Sequence, residues 1–332
     1  MTYIFLFGCL FLGWSFGRNN LSNVFGNAIG SRMLSLRLAA GLTSLFICLG
    51  ALFSSSGPMD SMQALADIPS LFGAFLISIS IALAVLAASQ FGIPVSIVQG
   101  SVGALIGWNI FFHVPNNWPL IQNIIGAWFY CPLIGALLAI AGFYSTRCLL
   151  KHIKIPLLYR DIWVRLFLIL SGLYSAYFLG ANNIPAIASP YLNIARIPSL
   201  FIILLVVLSV ACGALMADRK VITTVSKGLY PLSPVEALVV VLSCGLTLQC
   251  FSGNGLENLL LKLHLPTFPL VPVPAANVLV GSIMGVGLAK GHAGFHWRSL
   301  GKVIAAWILV PVFSGLICYL ILAILIHGRI NL

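Results

Sequence analysis

Two pairs of adjacent asparagines stand in sequence otherwise fit for a membrane: Asn19-Asn20 in "GRNNLSNVFGNAIGS" and Asn182-Asn183 in "GANNIPAIASP". Each pair begins two residues beyond a glycine, and apolar runs lie close by. An amide side chain offers donors and an acceptor without a fixed charge. Left unpartnered in hydrocarbon it costs roughly 2–7 kcal/mol. Its recurrence therefore points to polar chemistry inside the protein, with amides set to receive a small charged solute. A glycine ahead of each pair suits a broken helix, whose free N–H groups carry partial positive charge that favours an anion. The competing reading is that the amides satisfy broken backbone or join helices together.

The elements that must position these amides follow from composition. Of 332 residues, 60% are hydrophobic and 7% charged, and mean hydropathy is +1.08. Soluble domains carry about 25% charged residues. The chain reads as an integral all-α membrane protein, because an open strand would leave its backbone unpaired in lipid. Hydropathy predicts about ten spans, at 3–16, 36–53, 70–90, 92–112, 120–144, 163–180, 199–217, 235–253, 271–290 and 301–327. The first, within "MTYIFLFGCLFLGWSFG", lacks a basic leader and a small-residue cleavage site and reads as a retained span. Eight scattered cysteines contain no CxxC pair, which disfavours a metal site or disulfide framework. No nucleophile–base pair appears, so no catalytic residue and no cofactor is assigned.

The net charge of +11 would suggest nucleic acid in a soluble chain. In a membrane it is read by side instead. Ten spans place 14 of the 17 lysines and arginines on one face and leave Arg196, Lys262 and Arg329 on the other. That asymmetry predicts both termini outside the cytoplasm and a cytoplasmic linker at 145–162. Nucleic acid is excluded as a partner; the bilayer and a small anion are expected, with a homo-oligomer left open.

The linker divides the chain into 1–144 and 163–332, and the two parts repeat. Asn20 and Asn183 are 163 residues apart; "PVSIVQGSVGALIG" at 94–107 returns as "PVPAANVLVGSIMG" at 272–285, and "WFYCP" at 128–132 as "WILVP" at 307–311. Five spans per part make the repeat inverted across the membrane. Inverted repeats with Gly/Pro-interrupted segments in corresponding places are a pointer to a transport site near the midplane.

At these residues the chain resembles the inorganic phosphate transporter family. "GRNNLSNVFGNAIGS" is similar to its signature, roughly G-x-N-D-x-x-N-x-x-G-T-x-x-G-S, with Gly17, Asn19, Asn23, Gly26, Gly30 and Ser31 in register. "GANNIPAIASP" looks like the second copy, and the two "PV" segments resemble the family's P-V-S-T-T-H-x-x-x-G blocks. The resemblance implies inverted repeats with broken or re-entrant helices, in a bacterial or archaeal inner membrane. It also implies transport of phosphate with sodium or protons, or of sulfate in a permease branch. By register, the substrate-binding residues it implies are Asn19, Asn20, Asn23, Ser31, Ser96, Gln99, Asn182, Asn183 and Asn277.

The departures carry chemistry. Asn20 and Asn183 stand where the family has Asp, Ala186 replaces the second-copy Asn, and Thr-Thr-His becomes Ile97-Val98-Gln99 and Ala275-Ala276-Asn277. Phosphate near neutral pH keeps a P–OH proton that a carboxylate can accept, whereas sulfate offers only acceptors. A hydrogen bond to a charged group contributes ~1.5–3 kcal/mol. Loss of both carboxylates tilts the expectation towards sulfate and removes charged ligands for sodium. The alternative is an anion channel or structural membrane protein that keeps the transporter scaffold. Arg18 has two readings, as a guanidinium on the anion or as a span-end residue snorkelling to the surface.

Overall fold

The computed structural model describes residues 2–30, 33–152, 156–192, 194, 197–291 and 294–330. Ser31 lies outside them. Among the described residues the protein is helical, with no strand. After a 3-10 turn at Thr2–Leu6 come α1 (Phe7–Gly30), α2 (Leu36–Phe53), α3 (Ser56–Gln63), α4 (Leu71–Gln90), α5 (Ile97–Phe111) and α6 (Trp118–His152). The remainder holds α7 (Leu157–Asn183), α8 (Pro185–Leu192), α9 (Ser199–Leu215), α10 (Arg219–Thr223), α11 (Pro234–Ser252), α12 (Asn254–Lys262), α13 (Ala275–Ala289) and α14 (Trp297–Ile330).

Every expected span contains a helix, but among the described residues six helices are long and apolar enough to cross a bilayer: α2, α4, α6, α7 with α8, α11 and α14. A seventh is α9 with residues 219–226, bent by 70°. Helices α5 and α13 have 15 residues each, about 22 Å of length against a hydrocarbon core of ~30 Å. Each follows a stretch without regular structure, residues 93–96 and 265–274.

Two further departures have clear physical causes. Hydropathy placed a span at 3–16, yet α1 runs unbroken to Gly30. Its polar half escapes a hydropathy reading because it never meets lipid. Gly17 and Asn19 to Ala28 are all buried, and α1 packs on α4 and α9 and touches α2, α8, α11 and α13. The expected linker at 145–162 is mostly helix as well, formed by the last turns of α6 and the first of α7. Basic residues there make those turns hydrophilic without making them irregular.

The signature glycines do not break helices, contrary to expectation: Gly17 lies inside α1 and Gly180 inside α7. They let backbones meet. A Cβ on Gly17 would collide with the Val210 carbonyl, and one on Gly213 with that of Trp14; likewise Gly180 meets Ile47 and Gly50 meets Tyr177. The same holds where α5 crosses α14, with Gly103 on the Pro311 carbonyl and Gly107 on that of Gly315. Where α13 crosses α6, Gly281 sits on Pro132 and Gly285 on Ala136. Each crossing joins a helix before the 145–162 segment to one after it. Small residues at such seams are the usual means of close helix packing in membranes.

Candidate functional site

Asparagines 19, 20 and 23 project from the enclosed part of α1, where spacings of three and four bring side chains together. Asn23 Nδ2 donates to Asn20 Oδ1 at 2.6 Å, and Asn20 Nδ2 donates to the Phe16 carbonyl at 3.2 Å. Asn19 Nδ2 donates to Ser89 Oγ on α4 at 2.8 Å. These bonds leave Asn19 Oδ1 and Asn23 Oδ1 buried without a partner.

Ser96 occupies the N-cap of α5, but its hydroxyl makes no capping bond and has no partner. Gln99, in the first turn, is 1% exposed, and both ends of its amide are unpartnered. An unsatisfied buried polar group costs about 1–3 kcal/mol. Such a set amounts to stored capacity for a polar ligand.

The second asparagine pair is bonded differently. Asn182 Nδ2 donates to the carbonyls of Phe251 at 3.4 Å and Val271 at 3.2 Å, and Oδ1 accepts from the Val273 N–H at 2.7 Å. Asn183 Nδ2 donates to Asn182 Oδ1 at 3.2 Å and to the Val273 carbonyl at 3.4 Å. Residues 271–273 belong to the irregular stretch leading into α13. Buried backbone outside a helix needs partners, and these two amides supply them.

Asn277 sits in the first turn of α13, as Gln99 does in α5. Proline 132 lies four residues beyond Trp128 on α6. It has no N–H, so the Trp128 carbonyl loses its helical bond. Asn277 Nδ2 approaches that carbonyl at 3.5 Å. A carbonyl only accepts, which fixes the amide's orientation and leaves Asn277 Oδ1 as an unpartnered buried acceptor.

The helices that carry these groups are in contact: α1 touches α7, α8 and α13, and α8 touches α5, with Ser101 Oγ donating to the Ala186 carbonyl at 3.0 Å. Asn19, Asn20, Asn23, Ser96, Gln99, Asn182, Asn183 and Asn277 are each at most 4% exposed. None of the eight bears a charge. Ser89 had no signal in the sequence; the buried, unpartnered Ser189 Oγ and residues 272–273 lie within the repeated motifs, but sequence reasoning gave them no role. The Trp128–Pro132 spacing carried a signal and could have been read.

Arg18 takes a partner that neither of its readings contained. Its guanidinium lies 3.4 Å from Asp218 Oδ2 and 5.4 Å from the Trp14 ring centre, and its side chain is 30% exposed. Asp218 is also the N-cap of α10, accepting from the Lys220 N–H, and its own N–H donates to the Arg18 carbonyl at 3.0 Å. The charge of Arg18 is thus matched at the bend between α9 and α10.

Sequence comparison converges with this architecture. The profile of the Phosphate transporter family matches residues 16–160 and 151–318. Over 307 residues the chain is 26% identical to the "Putative phosphate permease MJ0630" of Methanocaldococcus jannaschii, covering 92% of this chain and 91% of that one. It is 26% identical over 260 residues to "Sulfate permease CysP" of Bacillus subtilis, covering 74% and 65% of the two chains. A solved structure, "The sodium-dependent phosphate transporter", shares the fold with a TM-score of 0.75 at 19% identity, covering 97% of this chain and 99% of its own. The chain therefore belongs to the phosphate transporter family, a family of integral membrane permeases and not of enzymes.

Proposed function

We propose that the protein is a secondary transporter of a tetrahedral inorganic oxyanion, bound by an uncharged cluster of buried amides and hydroxyls. One observation carries this reading. Asn19, Asn23, Ser96, Gln99 and Asn277 all present polar atoms that are buried and unpartnered, on α1, α5 and α13, of which α1 touches α13 and both α1 and α5 touch α8. A pore would line its polar groups with water; an enclosed site must open to each side in turn, as a carrier does.

The proposed frame is ten crossings in two inverted repeats, 1–144 and 163–332, with both termini outside. Residues 93–96, extended at ~3.3 Å each, add about 13 Å to the ~22 Å of α5, enough for a ~30 Å core. Contacts between helix ends support the sidedness. Arg18 meets Asp218, Lys220 Nζ donates to the Gln90 carbonyl and Lys290 meets Glu236, all on the side rich in basic residues. Ser61 donates to the Leu270 carbonyl and Asn109 to that of Leu65, all on the other. The glycine contacts support the repeat: Gly17 on Val210 and Gly180 on Ile47 correspond at the same 163-residue offset as the asparagines.

Sulfate is the favoured substrate, because the site offers no carboxylate to receive a P–OH proton. Phosphate is the second reading, and Asn277 Oδ1 favours it, since an acceptor fixed by the Trp128 carbonyl suits a P–OH group or a coupled cation. Counterflow of labelled sulfate and of labelled phosphate in proteoliposomes, with and without sodium and across pH, tests both. Accelerated exchange of label by unlabelled anion on the far side supports a carrier. Flux proportional to the gradient, without exchange, would leave only the channel.

A further inference from the structure

A cavity of about 550 Å³ opens between the last turns of α6, the first turns of α7 and the start of α11. Phe143, Arg147 and Lys151 line it from α6, Asp161 from α7, and Glu236 and Val239 from α11. None of the residues of the amide cluster lines it, and it plays no part in the transport reading.

Its depth in the membrane follows from helix length. The 35 residues of α6 make about 52 Å, well beyond the ~30 Å hydrocarbon core. The exposed Trp118 marks one end, and a tilted helix crosses the core in about 25 residues. That puts Phe143 at the far edge of the core and Arg147 and Lys151 one and two turns beyond it, towards the headgroups. Tyr144, Tyr159 and Trp163 are exposed on the neighbouring turns, the placement aromatic rings take at a membrane–water boundary.

Two cations, Arg147 and Lys151, and two carboxylates, Asp161 and Glu236, line the cavity, but one carboxylate is committed outside it. Glu236 is engaged by Lys290 Nζ at 2.9 Å and by the Ser233 N–H at 2.8 Å in a capping box. Arg147 and Lys151, one turn apart on the same helix face, form no ion pair among the described residues. With Glu236 held by Lys290, which does not line the cavity, Asp161 alone is left to offset those two cations. Below them the wall is apolar, with Phe143 and Val239.

We infer that this cavity binds the phosphate headgroup of an anionic phospholipid, held by Arg147 and Lys151, with its acyl chain along Phe143 and Val239. A free phosphate ion shares the headgroup's chemistry but has no use for the apolar wall. Basic pockets between membrane helices are general sites for acidic headgroups.

Native mass spectrometry of the detergent-purified protein with added phosphatidylglycerol or phosphatidylcholine tests this. Phosphatidylglycerol should be retained well above phosphatidylcholine. The variant Arg147→Gln/Lys151→Gln should lose that retention about ten-fold, while Lys262→Gln, at the opposite end, should not. Because both lining cations are exposed, the variant keeps its fold, and phosphatidylglycerol should raise the melting temperature of the wild type only. Equal retention of the two lipids, or unchanged retention by the variant, overturns the inference. Displacement of the lipid by millimolar inorganic phosphate would assign the cavity to a soluble anion and overturn the lipid reading.

Discussion

The two asparagine pairs have nearly the same sequence and different employment. Asn182 and Asn183 are bonded to the backbone of residues 271–273, so their polarity is consumed in holding the approach to α13. Asn19 and Asn23, with Ser96 and Gln99, keep free polar atoms. The difference extends to the paired helix starts: Asn277 reaches the carbonyl freed by Pro132, whereas its counterpart Gln99 has no partner. A repeated motif thus does not fix a repeated role. One copy is bonded to backbone, and the other keeps most of the unpartnered polar atoms on which the proposed binding rests.

The largest effect that would test this division is expected at Gln99. Gln99→Leu conserves volume and removes two unpartnered buried atoms, so the melting temperature should hold or rise. Uptake should fall by at least ~ten-fold, the loss from one hydrogen bond of ~1.5 kcal/mol to a charged ligand. A lower melting temperature with normal uptake would make Gln99 structural and erase the contrast. Asn182→Leu should do the reverse. Three backbone groups lose their partners at about 1–3 kcal/mol each, which predicts a melting temperature lower by roughly 5–10 °C, with substrate preference retained in the folded fraction.

A smaller, qualitative shift is expected at Asn20. Asn20→Asp keeps the bond from Asn23 Nδ2, so the new carboxylate has a donor, and it restores an acceptor for a P–OH proton or a coupled cation. Sulfate uptake should weaken several-fold, and phosphate uptake or sodium dependence should appear. Unchanged selectivity in competition uptake would remove the case for sulfate. The smallest effect is expected at Arg18, whose partly exposed pair with Asp218 belongs to a class contributing ~0–1 kcal/mol. Arg18→Gln and Arg37→Gln should agree in substrate affinity within about two-fold. A five-fold or greater loss at Arg18 alone would return it to the anion.

Much of the helical layout was legible because lipid demands apolar faces, and α2, α4, α9 and α11 fall within a few residues of the hydropathy spans. The polar half of α1 was not, since a helix wrapped by protein obeys no such demand. The signature glycines were misread for a related reason: composition cannot say whether a glycine frees the backbone or admits a neighbouring one, and the Val210 and Ile47 carbonyls lie far off in sequence. The candidate residues were named from register alone. Their partition depends on Val273, which meets Asn182 across 91 positions, a pairing no local pattern encodes.

The absence of charge from the buried cluster has an electrical consequence. A carrier whose site contains fixed carboxylates moves them, or the ions that neutralise them, through the membrane field on every return. In the proposed site no residue is charged, so the empty carrier would be neutral there and the field would act on the cargo alone. Each elementary charge is worth about 2.3 kcal/mol per 100 mV, so a dianion entering against an inside-negative potential meets roughly 4.6 kcal/mol per 100 mV. Under the proposed mechanism, accumulation would need cations to travel with the anion, and three monovalent cations per dianion would make uptake current-carrying and driven by voltage. In that scheme the return of the empty carrier would be indifferent to voltage.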